Sequence, residues 1–212
     1  MISILFEDDD LLAVNKPEGL AAIPERLRRN ESLFEILSAE RGEKLYIVHR
    51  LDKETSGVIV FARNAETHRR LNRQFESHTI RKQYLALVHG VIADDKGTID
   101  TPLRQFGSGR VAVDPGRGKA CVTDFRVQNR FKSATLVEAC PRTGRRHQIR
   151  VHLYHLGHPI VGDPLYGDKT QQASYRRLML HAQTLTLHLP SHNNLTLKAP
   201  LPESFQKTVQ QC

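Results

Sequence analysis

The chain has few cysteines, no long apolar run and no acidic excess, and each absence removes a class of protein. Its three cysteines, Cys121, Cys140 and Cys212, are odd in number, widely spaced and form no C-x-x-C pair. That pattern excludes a disulfide-stapled scaffold and a cysteine-based zinc site. The longest aliphatic and aromatic run, Val58 to Ala62, falls far short of the roughly 20 residues that span a bilayer. The start, Met1 to Phe6 and then Glu7-Asp8-Asp9-Asp10, lacks the cationic segment and apolar core of a secretory signal. A soluble cytoplasmic protein without membrane association is the expectation. With 212 residues, 39% hydrophobic and 25% charged, the chain has enough material for a sizeable core.

The charge present is basic and unevenly placed. Lysine and arginine total 31 against 23 acidic residues, a net +8. Residues 104 to 150 hold 11 basic residues and 3 acidic ones, also +8, so the remaining 20 of each sign cancel. Arginine supplies 21 of the 31 cations, and its planar fork matches phosphate oxygens better than an ammonium does. Most charge runs are solvated surface, but an excess confined to one segment points to a polyanionic partner, nucleic acid in general. Arg110, Arg117 and Lys119 are the candidates for backbone contacts.

Periodicity predicts short strands at 2–6 and 11–15, and a helix after Ser32, whose spacing to Glu35 fits a capping box. Strands are expected at 46–48 and 58–62, then a helix capped by Asn64 and running to about Ser77 with Leu71 and Phe75 facing inward. The alternation in 83–88 puts Tyr84, Ala86 and Val88 on one face. Residues 107–118, with four glycines and a proline, read as a mobile basic loop. Strands follow at about 120–128 and 134–140. A helix starts near His147, with Ile149, Leu153 and Leu156 on one stripe and Gly157 as its stop. A late hairpin (180–189, 195–199) and a terminal helix (202–211) complete a mixed sheet with flanking helices.

Two phosphate-binding motifs fail. Gly118-Lys119 lacks the first glycine and the hydroxyl residue of a P-loop, and Gly107-Ser108-Gly109 is followed by Ala112 and Pro115 rather than a helix start. His147, His152, His155 and His158 crowd one segment with Asp163 nearby. They form no H-E-x-x-H, so packing and backbone hydrogen bonds are their expected roles and no metal is expected. The segment from His49 to Gly57 differs. Asp52 has Arg50 and Lys53 close by, which favours an ionised carboxylate able to act as nucleophile or base. A bland alternative has Asp52 capping the Thr55-Ser56 turn.

Five blocks together decide between these readings. Asn15-Lys16-Pro17-Glu18-Gly19, His49-Arg50-Leu51-Asp52 with Thr55-Ser56-Gly57, and Lys82-Gln83-Tyr84-Leu85-Ala86 come first. Thr143 to His152 and Gly157 to Asp163 follow, continued by Leu180-His181-Ala182. In order and spacing over nearly the whole chain, they resemble the RluA family of RNA pseudouridine synthases. The resemblance implies an α+β fold: a mixed, mostly antiparallel central sheet with flanking helices, forming a single catalytic domain over residues 1–212. It implies Asp52 as the catalytic carboxylate, Tyr84 as the tyrosine that stacks on the target base, and Arg150 as the residue pairing with Asp52. It implies that Arg50 helps displace the base, that Lys16 and Ile149 support and line the pocket, and that His147 and Arg146 stand at its edge. Arg146 replaces the usual Thr or Ser. No S4-like RNA-binding module is expected, since the chain begins almost directly in the catalytic domain.

The implied reaction isomerises specific uridines in structured RNA, a ribosomal or transfer RNA stem-loop, with no cofactor and no obligate protein partner. Two alternatives belong to other classes: a non-catalytic RNA-binding protein of the same fold, and a metallohydrolase built on the histidine cluster.

Overall fold

A computed structural model describes residues 2–24, 31–107 and 109–212, the side chain of Asn193 excepted. In chain order the first elements are β1 (Ser3–Glu7), β2 (Leu11–Lys16), α1 (Leu33–Arg41), β3 (Tyr46–Ile47), β4 (Ser56–Ala62) and α2 (Ala65–Glu76). Then come β5 (Arg81–His89), β6 (Lys96–Asp100), β7 (Leu103–Gln105), β8 (Val111–Val113), β9 (Val122–Arg130) and β10 (Ala134–Pro141). The last are α3 (Gln148–His155), α4 (Lys169–Ala173), β11 (Leu180–Leu189), β12 (His192–Lys198) and α5 (Glu203–Gln210). The chain divides into two compact units, one of residues 1–82 with 182–200 and one of residues 83–181 with 201–212.

The first unit is a sheet in the order β1-β2-β4-β11-β12, with β3 also paired to β4. β4 is buried along its whole length, as its unbroken apolar run requires of a strand covered on both faces. Leu11, Ala13, Val58 and Val60 meet Leu71 of α2 and Leu185, Leu187 and Leu197 of the β11–β12 hairpin. Both expected caps are present. Ser32 and Glu35 form a reciprocal capping box on α1, and the Asn64 side chain accepts from Thr67 N at the start of α2.

The second unit carries the antiparallel order β5-β10-β9-β6. Its core joins Ala86, Val88, Val137 and Ala139 to Ile149 and Leu153 of α3 and Phe205 of α5. The fold is thus α+β with mostly antiparallel strands and flanking helices, as expected. Two local expectations need correction. Residues 111–113 are not mobile loop but strand β8, paired with β7 and closed by turns at the glycines. Leu156 does not continue the buried stripe of α3; it caps the helix and is 39% exposed. Leu85 and Leu87 are buried like Ala86 and Val88, so both faces of β5 are covered.

Candidate active site

In the first unit, the chain from His49 to Gly57 is held from behind. His49 Nε2 accepts from Val60 N at 3.0 Å and its ring stacks on Phe75 at 4.9 Å. A nitrogen that accepts carries no proton, so the ring is neutral with its hydrogen on Nδ1. Burial, helped by the Lys82 cation, pushes the His49 pKa down to about 3. Leu51 is buried, Arg50 is exposed and Asp52 is half-buried. The Asp52 carbonyl oxygen accepts from Thr55 N at 3.1 Å, a main-chain closure of the turn that follows.

Lys16 ties a second loop to this one. Its side chain is fully buried, and Nζ donates to the carbonyls of Pro17 and Leu20 at 2.8 Å and of Lys53 at 3.0 Å. Gly19 N donates to the same Lys53 oxygen at 2.9 Å. An ammonium so far from water is stable only with such convergent acceptors. Lys16 therefore acts on the backbone beside Asp52. Gly57, with φ +118°, ends the loop where a Cβ would collide with the main chain of Ala182. Only glycine fits there.

In the second unit, Tyr84 lies on β5 opposite Ala139, half-buried against the core, and Ile149 is part of that core. Arg150 is 1% exposed in the first turn of α3. Its Nε donates to Asp163 Oδ2 at 2.8 Å and its Nη2 to Oδ1 at 2.7 Å, a bidentate pair with both partners buried. Asp163 Oδ1 also accepts from the main-chain nitrogens of Leu165 and Tyr166. This partner is one that sequence reasoning missed. Between residues 139 and 181 only Asp163 and Asp168 are acidic, which narrows the partner to two candidates without deciding between them.

His147 begins α3 with φ 54°, a left-handed conformation uncommon for a side chain other than glycine. Its Nδ1 meets the Tyr166 hydroxyl at 2.9 Å. Gln148 fixes the preceding turn: Oε1 accepts from Arg145 N and the Thr143 hydroxyl, and Nε2 donates to Val122 O and Thr123 Oγ1. Arg146 is exposed, its guanidinium close to Gly109 in the β7–β8 turn, and Arg145 Nε reaches Ala120 O at 3.5 Å. Arg110, also exposed, sets its guanidinium over the Tyr166 ring. Arg117 and Lys119 are exposed just beyond β8, where Asp114 accepts from Arg117 N. The turn at 145–147 and the basic hairpin are thus brought together through Gly109, Ala120 and Tyr166.

His152 and His158 are engaged separately. His152 Nδ1 meets Thr123 Oγ1 and Nε2 meets Thr101 O, and His158 Nδ1 meets His89 O. Among the described residues no group of three or more His, Cys, Asp or Glu is arranged around a metal position. Among the same residues no helix is long and apolar enough to cross a membrane.

Similarity to known proteins extends over nearly the whole chain. The family model described as RNA pseudouridylate synthase matches residues 10–155. Ribosomal large subunit pseudouridine synthase C of Vibrio vulnificus is 39% identical over 216 residues, covering 98% of this chain and 68% of that protein. tRNA pseudouridine synthase C of Haemophilus ducreyi is 36% identical over 233 residues, covering 99% of this chain and 95% of its own. The solved structure of human RNA pseudouridylate synthase domain containing 4 superposes with a TM-score of 0.82 at 29% identity, covering 99% of this chain and 92% of that one. The chain belongs to the RNA pseudouridylate synthase family and is an isomerase that converts uridine in RNA to pseudouridine.

Proposed function

We propose that Asp52 is the carboxylate that acts on the target uridine. The observation that carries this reading is the rigid backing of its loop. Lys16, His49 and Leu51 hold the chain on either side by buried contacts, while the Asp52 side chain is left half-exposed. The reaction breaks the N1–C1′ bond, turns the uracil and joins C5 to C1′; the hydrogen on C5 is lost and N1 gains one. Nothing is oxidised or transferred to a second molecule, so no cofactor is required. A base in a stem must first leave its stack, at a cost of a few kcal/mol. Arg50 helps displace it, and the Tyr84 ring offers a stacking face. Arg150 is the cation that the family resemblance gives to the site, and within its own unit Asp163 holds it in place. Ile149, His147 and Arg146 line the pocket, and Arg110, Arg117 and Lys119 hold the RNA backbone.

The named relatives act on ribosomal and transfer RNA, so a stem-loop of either class, in the cytoplasm, is the proposed substrate. Asp52→Asn keeps the shape and removes the charge, so single-turnover formation of pseudouridine is lost while RNA binding persists. Tyr84→Phe retains most affinity and Tyr84→Ala loses both affinity and rate. A well-folded Asp52→Asn protein that still isomerises uridine overturns the assignment.

A further inference from the structure

We infer that Tyr166 is a positioning residue that ties the basic β7–β8 hairpin to the buried Arg150–Asp163 pair, so that RNA held on the hairpin is registered against Arg150. The inference rests on the proposed roles of Arg150 in the active site and of Arg110, Arg117 and Lys119 on RNA. Tyr166 itself is 2% exposed and acts through its neighbours.

Each part of the side chain has a distinct partner. The hydroxyl oxygen accepts from Val111 N of β8 at 3.2 Å and meets His147 Nδ1, at the start of α3, at 2.9 Å. The ring centre lies 5.4 Å from the guanidinium carbon of Arg150 and 5.7 Å from that of Arg110, within reach of cation–π attraction. The main-chain nitrogen donates to Asp163 Oδ1 at 3.2 Å, on the carboxylate that grips Arg150. Leu103 and Val111 of the hairpin, with Cys121 and Val151, complete a small core around the ring, separate from the main core of this unit.

The hairpin needs such an anchor. Three residue pairs join β7 to β8, and a two-stranded ribbon of that length is not stable alone in water. Behind Tyr166 the loop is equally fixed. Gln172 Nε2 donates to the carbonyls of Tyr166 and Ile160, and its Oε1 accepts from Gly162 N. Loss of the hydroxyl therefore frees the hairpin on one side while the ring keeps Arg150 in place.

The test compares Tyr166→Phe, Tyr166→Leu and a triple variant, Arg110→Gln with Arg117→Gln and Lys119→Gln. Binding of a mapped RNA stem-loop is measured across salt concentrations, and single-turnover rate is measured at saturating RNA. Tyr166→Phe removes no charge, yet it weakens binding about tenfold and flattens the slope of log Kd against log salt, because phosphate contacts lapse with the loosened hairpin. Its saturated rate stays within about threefold of wild type, whereas Tyr166→Leu falls at least about tenfold further. Thermal melting, run alongside, confirms that all variants are folded at the assay temperature. If the triple variant keeps the wild-type slope, the hairpin does not hold RNA and both readings fall. If the triple variant flattens the slope and Tyr166→Phe does not, the proposed RNA surface stands and the role of Tyr166 is overturned. Equal saturated rates for Phe and Leu overturn the link to Arg150. Because binding is read without turnover, an active Asp52→Asn protein bears on the catalytic assignment alone.

Discussion

Arg150 sits in a helix where every residue from Gln148 to Leu153 is buried, and a guanidinium there is stable only beside an ionised Asp163. Removing one member of a buried pair leaves the other charge without compensation. Asp163→Asn is expected to cost about 3–5 kcal/mol in urea unfolding, whereas Arg150→Met with Asp163→Leu recovers most of it at the expense of activity. A loss under about 1 kcal/mol for Asp163→Asn would show that the pair is not what holds this helix. His49 makes a second prediction. Its pKa is near 3 in the folded protein and near 6.5 once unfolded, so below pH 6.5 the unfolded chain takes up a proton that the folded chain refuses. That contribution is whole above pH 6.5 and is lost as pH falls towards 3, at up to about 1.4 kcal/mol per pH unit. His49→Gln should therefore lose less stability than wild type between pH 7.5 and pH 5 in urea melts. Identical losses would sink the idea. Of these residues, Asp52, Tyr84 and Arg150 were legible as candidates through their motif blocks, and their roles are those proposed above. The roles of Asp163, Tyr166 and Gln172 were not, because they depend on which polar groups meet once the chain is buried.

Elements with strong local signals were readable from the sequence, and those held by distant contacts were not. The capping residues Ser32 and Asn64 announce their helices because the side chain and the amide it receives are only three residues apart. β4 is equally plain from its apolar run. β7 and β8 have three residues each, too few to show a period, and the glycines around them resemble a loop. Their strand character comes from Tyr166, Val151 and Cys121, far along the chain or on another element. α4 has five residues and no period of its own, and it was missed for the same reason. The close approach of β11 to β4 was equally invisible. Gly57→Ala places a methyl group against the Ala182 backbone at a positive φ, and a loss on the order of 3 kcal/mol is expected. Its counterpart Gly19→Ala has a positive φ but open space, so it should cost distinctly less. Equal unfolding midpoints for the two variants would remove the steric argument.

At the scale of the whole molecule, the first unit is discontinuous: its core draws on residues 1–82 and on the hairpin returning at 182–200. Leu185, Leu187, Leu189 and Leu197 are buried there beside Val58 and Leu71. A chain ended at His181 lacks all four leucines, and burying such a side chain contributes about 1.5–3 kcal/mol. That chain is expected to lose slow amide exchange in β2 and β4, whereas a chain ended at Gln210 keeps it. Retained protection in the shorter chain would show that residues 1–82 hold their sheet without the hairpin.

The sequence by itself determined the motif order, the caps, the long apolar strands and the concentration of all net charge in residues 104–150, because each is a matter of residue type at short range. Tertiary structure alone decided that Lys16 serves three backbone carbonyls and that Arg150 grips Asp163. It alone made residues 111–113 a strand by anchoring Val111 to a tyrosine 55 residues away. The physical reason is common to all three. A buried polar group must find a partner, and which partner is within reach depends on how distant segments pack, not on the residues beside it in the chain.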